Sequence, residues 1–278
     1  TQLTCINEKV LKDYYVAKPE RFTCFNVDEI VGWALKPIDY DPNKKYPMIL
    51  DIHGGPKTAY GEVFYHEMQM WANAGYFVFF CNPRGSDGRG NEFGYITGKY
   101  GTVEYDNLME FADEMLKKYP DADEKNFGVT GGSYGGFMCN WMIGHTDRYA
   151  AAASQRSISN FMAFTNYGDI SFPGTDNVVG GETVWSNPEA LWDVSPLKYA
   201  NRCVTPTLFI HSEQDYRCNE PEGIQMMYAL MRYNVETRMC LFKGENHELS
   251  RSGKPKNRVR RLDEITKWMD KHMKKETN

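Results

Sequence analysis

Apolar and polar positions change period several times along this chain, and each change marks an element. Residues 22–25 and 30–35 are dense in strand-favouring side chains and flank a segment with polar Asn26, Asp28 and Glu29. That pattern predicts an antiparallel pair at a sheet edge. Residues 48–52 form a short, mostly apolar strand, and residues 62–75 set Phe64, Met68, Trp71 and Ala72 at helical spacing. The run 76–81 is too continuously apolar for a half-exposed strand and suits a central parallel one. Residues 102–119 gather Leu108, Phe111, Ala112, Met115 and Tyr119 on one side, with Asp106, Glu110, Asp113, Glu114 and Lys117 largely elsewhere. This is an amphipathic helix whose end fits Pro120.

A short strand at 126–130 then leads through a glycine-rich turn into an apolar helix over 137–143. Residues 150–153 predict another short strand. Residues 154–180 lose any clear period and, with 181–196, read as an excursion that roofs a pocket. Regularity returns with a strand at 207–210 and a helix over 220–233 that turns inward Ile224, Met227 or Tyr228, and Leu230 or Met231. A last strand at 236–242 precedes a helix over 258–274 with Val259, Leu262, Ile265, Met269 and Met273 at helical steps. Its Arg and Lys residues read as a solvated outer face. Such alternation predicts one three-layer α/β domain over 21–278, a mostly parallel central sheet with an antiparallel N-terminal edge and helices on both faces. Residues 1–20, broken by Lys18-Pro19, predict a connector.

Composition narrows the class. The 278 residues are 41% hydrophobic and 25% charged, an ordinary globular balance, and the net charge of -5 argues against a dedicated nucleic-acid or anionic-membrane protein. No apolar run approaches the roughly 20 residues a membrane span needs. Seven cysteines lack C-x-x-C spacing, so they read as reduced thiols of a cytoplasmic protein, with no metal site and no cofactor. The opening Thr1-Gln2-Leu3-Thr4-Cys5 has no leader pattern, and the missing initiator Met points to excision from a longer chain.

The chemistry gathers at Gly131-Gly132-Ser133-Tyr134-Gly135-Gly136, a G-x-S-x-G sequence between a strand and a helix. There the glycines permit a turn sharp enough to lift a serine hydroxyl above the sheet, at a helix N-terminus that favours developing negative charge. A serine needs an imidazole to take its proton, and the imidazole needs an acid to hold its tautomer. Asp215 and His247 follow later strands in the order Ser, Asp, His, which is the α/β-hydrolase order. Glu213 is the rival acid, and His53 and His211 are rival bases. Phe161 and Phe164, with Trp185 or Trp192, are candidates either for an apolar specificity pocket or for core packing.

The six-residue elbow, His53-Gly54-Gly55-Pro56, Asn82-Pro83-Arg84-Gly85-Ser86 and Asn246-His247-Glu248-Leu249-Ser250-Arg251 together resemble the catalytic domain of the prolyl oligopeptidase superfamily, in its acylaminoacyl-peptidase-like or dipeptidyl-aminopeptidase-like branch. The resemblance covers nearly the whole chain and implies the α/β-hydrolase fold. It implies Ser133 as nucleophile, Asp215 as orienting acid and His247 as general base, with the backbone amides of Gly55 and Tyr134 as oxyanion hole. Arg84 is implied as support for the loop that carries it. Some relatives use a tyrosine hydroxyl in the first oxyanion loop; here that loop is His53-Gly54-Gly55-Pro56, and no such role passes to His53. Full-length members carry a β-propeller before this domain, which makes residues 1–20 the former interdomain connector, and relatives often assemble as homo-oligomers. The implied substrate is a short peptide. A carboxylesterase or lipase, and a non-catalytic interaction module, are the alternatives.

Overall fold

The computed structural model describes residues 3–25, 28–171 and 178–274. Eight strands form one sheet: β1 (Glu20–Phe25), β2 (Glu29–Leu35), β3 (Tyr46–Ile52), β4 (Phe77–Asn82), β5 (Ala122–Gly132), β6 (Ala151–Gln155), β7 (Thr207–Ser212) and β8 (Thr237–Phe242). Their spatial order is β1-β2-β4-β3-β5-β6-β7-β8. The β1–β2 and β2–β4 pairs are antiparallel, and every pair from β4 to β8 is parallel. This is the α/β-hydrolase fold expected from the sequence, antiparallel edge included. Of the polar segment between the first two strands, Asn26 lies outside the described residues, and Asp28 and Glu29 lie within them.

Period-two alternation sorts the strand residues between two cores. Met48, Leu50, Phe77, Phe79, Phe127 and Val129 face the helices Val103–Lys118, Tyr134–Ile143 and Glu220–Arg232. Ile49, Val78, Phe80, Ala151, Leu208 and Ile210 face His66–Asn73 and Pro255–Met273. β4 is buried at all six positions because helices cover both faces, as its unbroken apolar run requires. Each large apolar side chain sealed in this way contributes about 2 kcal/mol of transfer free energy.

The structure corrects several helix details. The helix expected over 62–75 occupies only His66–Asn73, and Phe64 lies outside it, exposed. In Glu220–Arg232 the buried positions are Glu222, Gly223, Met226 and, as expected, Leu230; Ile224 and Met227 are half-buried, and Tyr228 and Met231 face water. In Pro255–Met273, Val259 is exposed, while Leu262, Ile265, Trp268, Met269 and Met273 are buried. In the first the helix starts later, in the second the buried stripe turns by about one position, and in the third only Val259 leaves the expected stripe. Apolar residues stood on both sides of the true stripe, and only the neighbouring strand decides which side it covers. Before the sheet, residues 8–11 make one helical turn, and Ala17 is then tied to Gln69 by two hydrogen bonds of 2.8 and 2.9 Å.

Candidate active site

β5 ends at Gly132 and the helix Tyr134–Ile143 begins two residues later, leaving Ser133 alone at the turn with φ 62° and ψ -121°. That backbone is costly for a residue with a Cβ and persists only where its surroundings enforce it. Here the neighbours leave no alternative path. A Cβ on Gly135 would lie 2.1 Å from the Ile52 carbonyl oxygen, one on Gly131 2.6 Å from the Gly135 carbonyl oxygen, and one on Gly136 2.5 Å from that of Gln155. The Ser133 amide donates to the Gln155 carbonyl at 3.0 Å, and all ten residues of the following helix are buried.

The loop after β3 lies against this turn. A Cβ on Gly54 would sit 3.3 Å from Ser133 Cβ, so this loop and the elbow are neighbours. Gly55 has φ +123°, and a Cβ there would meet the Lys57 amide nitrogen at 2.6 Å. Tyr134 is the first helical residue, so its N–H belongs to the set that no intrahelical carbonyl satisfies. His53 is occupied elsewhere: Nε2 meets Ser86 Oγ at 2.9 Å and Nδ1 meets Thr58 Oγ1 at 3.0 Å, with burial lowering its pKa. Its role is to bind two loops together.

Asp215 and His247 come together at the ends of β7 and β8. His247 Nδ1 donates to the Asp215 carboxylate, 2.8 Å from Oδ2 and 3.0 Å from Oδ1. Asp215 Oδ1 also accepts the amides of Arg217 and Cys218, at 3.0 and 2.9 Å, so the acid is held from behind by its own turn. With Nδ1 committed to the carboxylate, Nε2 is the nitrogen open to act as a base. The Cys218 thiol links this turn to the elbow. Burial and the Asp215 charge raise its pKa well above 9, while a hydrogen bond with Ser133 acts in the opposite sense.

The rivals are placed otherwise. Glu213 accepts the Gly244 amide at 2.9 Å on the surface. His211 is buried, its Nε2 accepts the Ser157 amide at 3.1 Å, and burial pushes its pKa down to about 4.

Residues 62–276 match the profile described as Prolyl oligopeptidase family. The chain belongs to this family of serine peptidases. It is 42% identical over 275 residues to Uncharacterized peptidase YuxL of Bacillus subtilis (strain 168), covering 98% of this chain and 42% of that protein. It is 33% identical over 247 residues to Dipeptidyl-peptidase 5 of Schizosaccharomyces pombe, covering 86% of this chain and 35% of the relative. Among solved structures, Pyrococcus horikoshii acylaminoacyl peptidase superposes with a TM-score of 0.94 at 32% identity, over 100% of this chain and 45% of that one. The chain thus spans less than half the length of each of these relatives.

Within this family member, the aromatic candidates do not form one cluster. Phe161 is buried edge-on against Phe137 and Phe164, at ring separations of 5.1 and 5.8 Å, whereas Trp185 is 83% exposed and Trp192 half-buried. A cleft of about 250 Å³ opens beside His247, walled by Asp169, Tyr216, Arg217 and Glu248. Arg84 supports its loop, with Nη1 donating to Asp28 Oδ1 at 2.9 Å and Nη2 to the Glu92 carbonyl at 3.0 Å. Among the described residues no cluster of three metal-ligating side chains occurs, and no helix is long and apolar enough to cross a membrane.

Two buried carboxylates behind the site escaped the sequence reading. Glu104 accepts the Tyr134 hydroxyl and the Gly101 amide, each at 2.5 Å, and burial raises its pKa. Glu222 accepts the amides of Ser159 and Asn160 at 2.7 and 2.8 Å and the Tyr167 hydroxyl at 2.8 Å, again with burial raising its pKa. Both occupy the first turn of a helix, where an acid reads as a routine favourable charge; their burial has no signature in sequence.

Proposed function

We propose that the chain is the catalytic part of a peptidase that hydrolyses short peptides at or near the N-terminus through a covalent acyl-enzyme. The observation that carries this reading is the pairing of His247 Nδ1 with both oxygens of Asp215. His247 takes the Ser133 proton as Oγ attacks the peptide carbonyl, and Asp215 stabilises the imidazolium that forms. The amides of Gly55 and Tyr134 receive the oxyanion. His247 then returns the proton to the leaving amine, and a water that it activates resolves the ester. Preference for peptide N-termini is supported by the dipeptidyl and acylaminoacyl peptidases among the relatives.

In the full-length protein, an N-terminal β-propeller would restrict entry to short peptides, with residues 1–20 as its connector to the catalytic domain. Support comes from the relatives' greater length and from Leu3 and Ile6, 90% and 82% exposed, apolar surface of the kind a neighbouring domain covers.

A fluorophosphonate probe should label the wild type and not Ser133→Ala, and Asp215→Asn should lower kcat by about 10⁴-fold. Hydrolysis of simple acyl esters with no cleavage of acylaminoacyl, dipeptidyl or short-peptide amides would make the protein an esterase. Absence of labelling in folded wild type would remove the serine-hydrolase reading altogether.

A further inference from the structure

Residues 155–160 carry much of the framing of the site. The Gln155 carbonyl holds the Ser133 amide, the Ser157 amide reaches His211, and the Ser159 and Asn160 amides reach Glu222. Arg156 stands in the middle of this segment with φ +37°, a backbone that a side-chain-bearing residue adopts at a cost. Its amide donates to the Ile210 carbonyl at 2.7 Å, which anchors the twist.

The twist sends the guanidinium between two parts of the site. A Cβ on Gly132 would lie 2.8 Å from Arg156 Cζ, so the head group lies against the elbow one residue before Ser133. Nη1 donates to Ser250 Oγ at 3.0 Å, three residues past His247. Nε is sealed from solvent without a hydrogen-bond partner, and among the described residues no carboxylate pairs with this cation. Burial, then the charges of Arg261 and Arg251, act to lower its pKa. The Glu67 charge offsets part of this, but among the described residues no carboxylate lies within ion-pair distance of the guanidinium, so an ion pair does not hold it. A planar, rigid head that spans elbow and histidine loop accounts for its retention, and a flexible lysine would not supply that geometry.

We propose that Arg156 is a positioning residue, a strut that sets the spacing between the Ser133 elbow and the His247 loop. The proposal rests on the catalytic reading above, and its test separates the two. In the intact protein, Arg156→Met keeps much of the stem and removes the planar head. The readouts are the second-order rate of fluorophosphonate labelling of the folded fraction, and kcat and KM on whichever acylaminoacyl or dipeptidyl p-nitroanilide the wild type cleaves.

Labelling and kcat should fall by about 30-fold while KM stays within roughly threefold, because misplacement of a base costs the chemical step rather than binding. Ser250→Ala, which leaves the buried cation in place, should slow labelling by about fivefold, and in the double variant it should add less than about twofold, because both changes cut the same strut. Unchanged labelling by Ser250→Ala, a KM effect without a kcat effect in Arg156→Met, or losses that multiply in the double variant would each overturn the proposal. If Arg156→Met does not fold, the Ser250→Ala rate decides. Wild type that the probe fails to label sinks the catalytic reading; labelled wild type with equally fast variants sinks only the strut.

Discussion

The elbow and the segment after β6 frame the same site, yet they are held by different physics. Around the elbow the constraint is steric. Gly131, Gly135 and Gly136 each sit where a single added carbon would strike a backbone carbonyl, and overlap of that kind answers to neither pH nor salt. Residues 157–167 are held by titratable side chains, with His211 taking one amide and Glu222 taking two amides and the Tyr167 hydroxyl. One wall of the site is therefore held by overlap, and the other in part through hydrogen bonds to groups that titrate.

The steric wall is most sensitive at Gly135. Gly135→Ala places its Cβ 2.1 Å from a carbonyl oxygen of β3, so the chain must shift or unfold. A loss of at least about 5 kcal/mol is expected, read as failure to unfold cooperatively in denaturant. On the other wall, Glu222→Ala strands three donors, the buried Ser159 amide and the half-buried Asn160 amide and Tyr167 hydroxyl. A cost of about 4 kcal/mol is expected from the shift in denaturation midpoint, and a cost below about 1 kcal/mol would show that the segment is held by packing instead.

The pH contrast follows from His211. Burial brings it down to about 4 from 6.5, so the unfolded chain binds a proton that the folded chain resists. The stability contributed by neutral His211 is complete above pH 6.5 and declines as pH falls toward 4, by at most about 3 kcal/mol. Below that range the imidazolium cannot accept the Ser157 amide. His211→Gln should flatten the slope of unfolding free energy between those pH values, and a slope equal to that of the wild type would clear the histidine. The smallest effect is expected at Tyr167, where Tyr167→Phe removes one half-buried hydroxyl from Glu222. Thermal denaturation should register about 1 kcal/mol.

Much of this was legible in the chain because the signals are local. The unbroken apolar run became β4, and the turn chemistry between β5 and its helix marked Ser133. Strand ends followed by polar residues marked Asp215 and His247, since each of these features depends on neighbours in sequence. The sequence was less informative where an acid or an apolar residue could face two ways. Glu104 and Glu222 carry no mark of burial, and Met226 joined the buried stripe while Met227 stayed half-buried and Tyr228 turned to water once the strand beneath was in place.

Fold class, antiparallel edge and elbow follow from the order of residues along the chain, because backbone preference and hydrophobic period act over a few residues. Packing in three dimensions was needed for His53 to tie two loops, for His211 to serve the Ser157 amide rather than Asp215, and for Arg156 to reach from Gly132 to Ser250. Those assignments pair residues 33, 54 and 94 positions apart, and a hydrogen bond is directional at a scale that no pattern along the chain encodes.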